Sequence, residues 1–159
     1  MVQTSTQVLY RLLSNPEYVE PLRQEIEAVI AEEGWTKAGM DKLHKLDSFL
    51  RETQRMNTTG IGLLNSLDNN LLLMALLQVV MYRLALRPFT FSNGVTIPEG
   101  TIVSVPANMD ENIYSNPEQF DGFRFSKACD MGGDITMTSH SAVSTSPEYL
   151  AFGLGRHTW

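Results

Sequence analysis

The sequence is poor in cysteine, and this excludes two kinds of site. Its 159 residues contain a single cysteine, Cys129. One thiol cannot form a disulfide within the chain, and it cannot supply the several thiolates of a cysteine-rich zinc site. The cysteine usage is compatible with a reducing compartment.

Basic residues are also few. Lys and Arg total 12 against 18 Asp and Glu, which gives a formal net charge of −6. Phosphate binding requires clustered Lys and Arg, and the chain carries no basic stripe, so the composition argues against a general nucleic-acid binder. A hydrophobic fraction of 43% and a charged fraction of 19% are instead typical of one compact globular domain.

Long apolar runs are absent. The longest, LLLMALLQVVMY at 71–82, contains one Gln and is shorter than the about 20 apolar residues that cross a bilayer. The first residues, MVQTSTQVLYRLL, lack the basic region and apolar run of a signal peptide. We therefore expect the chain as written to be soluble and without a membrane segment.

Apolar residues recur at helical spacing in the first third of the chain, and they predict helices at 3–14, 16–33 and about 40–55. Asn15 suits the N-cap of the second helix, and Pro16 suits its first position because the missing N–H would be unpaired there. Gly34 suits the C-terminal stop of the same helix.

The periodicity changes after Asn57. Residues 58–82 have no clear amphipathic period, and we predict a helix only over 70–82. From Arg87 the period becomes two, and the turn signals SNG at 92–94 and PEG at 98–100 predict a β-hairpin.

The region after the hairpin is less regular. A short helix and a Pro-anchored turn are predicted within 108–127. Residues 128–146 are rich in Gly, Ser and Thr, and they predict an exposed, mobile loop.

Four short motifs occur in a fixed order: ETQR at 52–55, TIPEGTIVSVP at 96–106, NPEQFDGFRF at 116–125 and FGLGRHTW at 152–159. Together they resemble the cytochrome P-450 family of heme-thiolate monooxygenases, in its fungal type, where a His follows the Arg of the last motif. The resemblance implies a mainly α fold with a small β-sheet (α+β). It further implies one partial P-450 domain over 1–159, a C-terminal-half fragment with an insertion at 58–82.

The first motif places two opposite charges on one helix face. Glu52 and Arg55 are three residues apart, so their side chains are neighbours. The resemblance adds Arg124 and implies a structural cluster in which two guanidinium groups hold one carboxylate. The alternative is three unrelated surface charges, which would contribute little.

The resemblance also implies residues that hold a heme. These are Arg83 and His157 as partners of the propionates, with Phe152 and Gly155 in the loop against the ring. Arg83 could instead simply end an apolar helix, and His157 could lie in a frayed terminus.

Thr4, with its neighbours Ser5 and Thr6, resembles the hydroxyl residues that deliver protons to bound oxygen in the family. The alternative for Thr4 or Ser5 is a helix N-cap.

Trp159 occupies the position at which the family has the cysteine ligand of iron. A neutral indole nitrogen only donates a hydrogen bond and has no lone pair for a metal. The thiolate that favours O–O cleavage is then missing, and nothing around Cys129 resembles the ligand loop. We therefore expect no intact catalytic set and no metal ligand in the chain as written, which puts heme binding in question and predicts inactivity.

The family uses heme iron to insert one oxygen atom of O2 into a small organic substrate, with electrons from a reductase. Its full-length members are usually anchored at the cytoplasmic side of the endoplasmic reticulum. The alternative function for this chain is a non-catalytic helical remnant that binds a partner through the apolar residues 71–82.

Overall fold

The computed structural model describes residues 2–57, 81–105, 109–126 and 142–155. Its elements are helix α1 (Val2–Ser14), a 3₁₀ turn (Pro16–Tyr18), α2 (Val19–Glu33), α3 (Lys37–Asp41), α4 (His44–Met56), and strands β1 (Met81–Leu84), β2 (Phe89–Thr90), β3 (Thr96–Ile97) and β4 (Ile102–Val105). Helices with two small antiparallel sheets confirm the expected mainly α architecture.

The first two predicted helices are confirmed, but their caps differ from the expectation. The Asn15 side chain makes no N-cap bond and instead donates to the Arg11 carbonyl at 2.8 Å, so it ends α1 rather than starting α2. Thr4 lies inside α1, which begins at Val2, and its N-cap interpretation is wrong. Gly34 ends α2 as predicted, with φ 66° and its N–H bonded to the Ile30 carbonyl at 2.9 Å.

The predicted helix over about 40–55 is wrong at its start, because the chain forms two helices there. Thr36 caps the short α3 by accepting the Gly39 N–H at 3.1 Å. The N-cap position of α4 is Leu43, which has no capping side chain. The Glu25 carboxylate of α2 takes over this role, since it accepts the N–H groups of Lys45 at 2.8 Å and Leu46 at 3.0 Å.

The predicted hairpin is confirmed and is longer than expected. Strand β1 pairs antiparallel with β4, and β2 pairs antiparallel with β3. Gly94 has φ 86°, which suits the tight turn where the Phe91 N–H bonds the Val95 carbonyl at 2.9 Å. Because β1 covers residues 81–84, the predicted helix over 70–82 is wrong at its last two residues, and its remainder lies outside the described residues.

The segment before the predicted loop forms turns where we expected a short helix. The N–H groups of Ile113 and Tyr114 both bond the Asp110 carbonyl, which closes a single turn. Of the predicted loop 128–146, residues 128–141 lie outside the described residues. Ala142 is buried, and its N–H bonds a carboxylate oxygen of Asp47 on α4 at 2.7 Å.

Four aromatic rings pack where α4 meets the 3₁₀ turn and the 120–123 segment. The rings of Tyr18, Phe49, Phe120 and Phe123 have centroids 4.9–5.9 Å apart, mostly edge to face. Gly122 is buried against them. A Cβ at this position would lie 2.6 Å from a Phe49 ring carbon and 2.9 Å from a Tyr18 ring carbon.

Gly122→Ala is therefore expected to destabilise the fold by overpacking. We expect a loss of about 1–3 kcal/mol in the free energy of unfolding, because backbone and two rings must shift to admit one methyl group. Urea titration followed by circular dichroism measures it. Gln24→Ala on the exposed face of α2 is the control, and an unchanged midpoint for Gly122→Ala would contradict the packing described.

Candidate functional site

One face of α4 is polar although it is buried. Ser48, Glu52 and Arg55 follow each other at i, i+4 and i+7, so they lie on one side of the helix. Their exposed fractions are 1%, 0% and 2%. We call these three residues the first stripe. Buried charges need partners, and the segment 115–126 supplies them.

Glu52 is the centre of the charge cluster. Arg55 binds its carboxylate in bidentate geometry: Nε lies 2.8 Å from Oε2, and Nη2 lies 2.8 Å from Oε1. Arg124 places Nε 3.2 and 3.1 Å from the same two oxygens, and the Asp121 N–H donates to one of them at 3.1 Å. The structure thus brings Glu52, Arg55 and Arg124 together in the interior, so they are not three unrelated surface charges.

Other N–H groups of the two arginines bind backbone carbonyls, and Arg55 Nη2 also donates to the Met56 sulfur at 3.0 Å. Arg55 Nη1 donates to Pro117 at 2.8 Å. Arg124 Nη2 donates to Gln119 at 2.9 Å and to Asn116 at 3.3 Å, and its Nη1 donates to Ser115. One carboxylate and several carbonyls therefore satisfy two guanidinium groups, and the cluster ties α4 to 115–126. A carboxylate with both oxygens bound in this way offers no free base for catalysis.

Two buried tyrosines flank the cluster. The Tyr114 hydroxyl donates to the Glu148 carbonyl at 2.6 Å, and the Tyr149 hydroxyl donates to Gln54 Oε1. Burial raises the pKa of Tyr114 to about 12, against the smaller lowering effect of the Arg55 charge. Burial raises the pKa of Tyr149 further above its ordinary value, although the Arg51 charge opposes the shift. Both phenols stay neutral across the physiological range.

These two pKa shifts predict instability in alkali. A phenol with a raised folded-state pKa contributes stability that is complete below its unfolded pKa near 10 and is lost as pH rises toward 12. For Tyr114 the contribution is about 2–3 kcal/mol. Urea titrations of wild type and Tyr114→Phe from about pH 8 to about pH 12 should therefore converge as pH rises. Tyr10→Phe, at an exposed ring, should run parallel to wild type, and a constant difference for Tyr114→Phe would contradict the prediction.

The last described segment, 150–155, is a glycine-containing turn, which we call the glycine loop. Gly153 and Gly155 have φ 79° and 92°, a region that favours glycine, and the Gly153 N–H bonds the Leu150 carbonyl at 2.8 Å. A Cβ at either glycine would meet nothing within 4 Å. Phe152, which precedes Gly153, is half-buried. Glycine at these two positions therefore reflects the backbone conformation and not crowding by neighbouring atoms of the described residues.

The described residues contain no set of iron ligands beside this loop. No group of three or more His, Cys, Asp or Glu side chains that could hold a metal occurs in the described parts of the chain. His157, Cys129 and Trp159 lie outside those parts.

The other predicted site residues lie on separate elements. Arg83 is in β1, opposite Val103 of β4, with an exposed side chain. Thr4 is half-buried in the first turns of α1. None of the helices in the described residues is long and apolar enough to cross a membrane.

Comparison with known proteins gives one consistent family. The cytochrome P450 family model matches residues 1–66 and 73–158. The chain is 43% identical over 158 residues to cytochrome P450 monooxygenase 151 of Postia placenta, 38% over 154 residues to cytochrome P450 monooxygenase ntnM of a Nectria species, and 39% over 165 residues to cytochrome P450 monooxygenase janQ of Penicillium janthinellum. These alignments cover 97%, 96% and 99% of the chain but 28%, 26% and 29% of the relatives. The chain therefore spans less than a third of the length of the curated relatives it matches.

Proposed function

The chain belongs to the cytochrome P450 family, which implies heme as cofactor, and we propose that it forms part of a heme-dependent monooxygenase. Such an enzyme inserts one oxygen atom of O2 into a small organic substrate and takes electrons from a reductase. The observation that carries the proposal is the family match, which runs from α1 through the glycine loop.

Within this proposal the charge cluster has a structural role. Glu52 and Arg55 on α4 hold Arg124 and the turn segment 115–126 through bonds that leave no reactive group. Arg83, Phe152, Gly155 and His157 would hold the heme, which supplies the oxygen chemistry when it is bound. Thr4 remains the candidate for oxygen activation.

We propose further that the chain with Trp159 is inactive. The pattern FGLGRHT places this residue where the family has its cysteine ligand. An indole has no lone pair for iron, so the electron donation that the thiolate provides is missing.

A heme titration tests this proposal. Purified chain is mixed with hemin, reduced with dithionite and exposed to CO, with a complete P450 as positive control. The wild type should lack the red-shifted Soret band of a thiolate-bound heme, and Trp159→Cys should gain it. Trp35→Cys is the matched control, because Trp35 is exposed and far from position 159 in sequence. A thiolate band in the wild type, or no such band in Trp159→Cys, would contradict the assignment of position 159 as the place of the iron ligand.

We also propose that 58–82 includes inserted sequence translated from an intron. The family match covers 58–66 and 73–82 and is interrupted at 67–72, so these six residues are the part of the segment that supports inserted sequence. Sequencing of cDNA across codons 58–82 tests it: a transcript that lacks part of this stretch supports the insertion, and an uninterrupted one contradicts it. The same cDNA also gives the identity of codon 159. A cysteine codon there would overturn the proposal that the chain is inactive.

A second candidate function is a non-catalytic module that binds a partner. Most of the segment 71–82 that we proposed as the contact lies outside the described residues. Exposed apolar side chains on α1 keep the candidate open, since Leu9, Tyr10 and Leu13 are 61%, 69% and 82% exposed. Light scattering with a hydrophobic dye separates the two: a partner-binding module should be monodisperse, whereas part of a larger enzyme should aggregate.

A further inference from the structure

We propose that α4 carries a second polar stripe, formed by Asp47, Arg51 and Gln54, which fixes the root of the glycine loop. The proposal names positioning residues for the loop to which the proposed function assigns heme binding, and in that respect it rests on the proposed function. These three side chains act on the loop and would not touch the cofactor.

The stripe follows from helix geometry. Residues 47, 51 and 54 have the same i, i+4, i+7 spacing as the first stripe and precede it by one position. One residue corresponds to about 100° of rotation, so the two stripes lie side by side along α4. The first stripe binds 115–126, and the second binds 142–149.

Each member of the second stripe has a partner in or beside the later segment. Asp47 Oδ1 accepts the Ala142 N–H at 2.7 Å, and Gln54 Oε1 accepts the Tyr149 hydroxyl. The Arg51 guanidinium carbon lies 5.0 Å from the Tyr149 ring centroid and 4.1 Å from that of Phe125. Arg51 and Tyr149 are both 2% exposed, and cation–π attraction is strongest between desolvated groups.

Arg51 links the two stripes. The Phe125 ring beneath it belongs to the segment held by the first stripe, since the Phe125 N–H bonds Ser48 Oγ at 3.1 Å. The Tyr149 ring belongs to the segment held by the second. One guanidinium therefore touches both segments and sets their spacing on α4.

Tyr149 is the point through which the stripe reaches the loop. It is the residue before the glycine loop begins, and its N–H bonds both the carbonyl and the hydroxyl oxygen of Ser146 at 3.1 Å. It is 2% exposed, whereas Leu154 is 37% exposed. Leu150 is still buried, at 6% exposed, so the loop leaves the interior directly after it, and the side-chain bond of Tyr149 to Gln54 fixes the position from which it leaves.

The two stripes of α4 therefore have different roles. The first stripe holds the turn segment whether or not the glycine loop is in place. The second stripe determines where Gly153 and Gly155 stand relative to α4, and sub-ångström placement of a supporting shell decides whether a binding site works.

Amide hydrogen exchange tests the proposal on the full chain. Tyr149→Phe and Gln54→Leu should each speed exchange in 142–155 about tenfold, the equivalent of one lost hydrogen bond, and should leave 115–126 unchanged. The double variant should fall short of the product of the single effects, because both substitutions remove the same bond. Tyr10→Phe is the matched control at an exposed ring, and Leu22→Ala is the control for global destabilisation.

Two results would overturn the proposal. One is unchanged exchange in 142–155. The other is an equal rise across 16–33, 115–126 and 142–155 for Tyr149→Phe, as Leu22→Ala should produce, because the tyrosine would then only fill the core.

Hemin titration adds a second measurement. A purely structural role of Tyr149 would leave hemin affinity unchanged at matched global stability. Tyr149→Phe should weaken hemin binding about tenfold relative to Leu22→Ala at matched global stability. If the wild type binds no hemin, the heme-holding roles proposed for Arg83, Phe152, Gly155 and His157 fail in this chain, whereas the second stripe is judged by the exchange pattern alone.

Discussion

Glu52→Gln is expected to lower the free energy of unfolding by about 3–5 kcal/mol. The substitution keeps the shape of the side chain but removes the carboxylate that binds both Arg55 and Arg124. Two guanidinium groups, with 1% and 14% of their side chains exposed, then lose the counter-charge that Glu52 supplies. The new amide also points its N–H donors at theirs.

Urea titration at neutral pH, followed by circular dichroism, measures this loss. Glu20→Gln is the matched control, because Glu20 pairs with Arg23 at 3.9 Å on the surface with 65% of its side chain exposed. An exposed pair contributes about 0–1 kcal/mol, so the control should barely change. A comparably small loss for Glu52→Gln would mean that the cluster does not hold the fold.

Phe49→Ala is expected to cost about 3–5 kcal/mol as well, through a different mechanism. Phe49 is fully buried and touches the rings of Tyr18 and Phe120, so its removal leaves a cavity between α4, the 3₁₀ turn and the 120–123 segment. The substitution leaves no buried polar group unpaired, so the lost stability comes from apolar surface and dispersion contacts alone.

The same titration measures the Phe49→Ala loss. Phe89→Ala in β2 is the control, since that ring is 55% exposed and should cost far less. Equal losses at the two positions would contradict a core centred on α4.

Local signals predicted several elements correctly, and each has a short-range cause. The apolar periodicity of α1 and α2, the left-handed stop at Gly34 and the SNG turn of the hairpin depend on residues adjacent in sequence. Such features are visible because backbone preference and side-chain spacing act within a few residues.

The start of α4 could not be predicted in this way. Its N-terminal N–H groups bond Glu25, which lies 20 and 21 residues earlier on another helix. A search for a local Ser, Thr, Asp or Asn cap finds nothing at Leu43, so the boundary was placed too early. The polar residues Asp47 and Gln54 were missed for a related reason: their partners lie 95 residues away, and only their shared spacing with Arg51 could have indicated a common face.

The sequence by itself determined the family, the amphipathic helices α1 and α2 with the glycine stop of α2, and the presence of tryptophan at position 159, because motifs and spacing are properties of the chain alone. Only the tertiary structure decided that Glu52 is fully buried between two arginines, and that a second face of α4 anchors the glycine loop. The physical reason is desolvation: whether a charge or a hydroxyl needs a partner depends on its exclusion from water, which distant segments bring about when they pack.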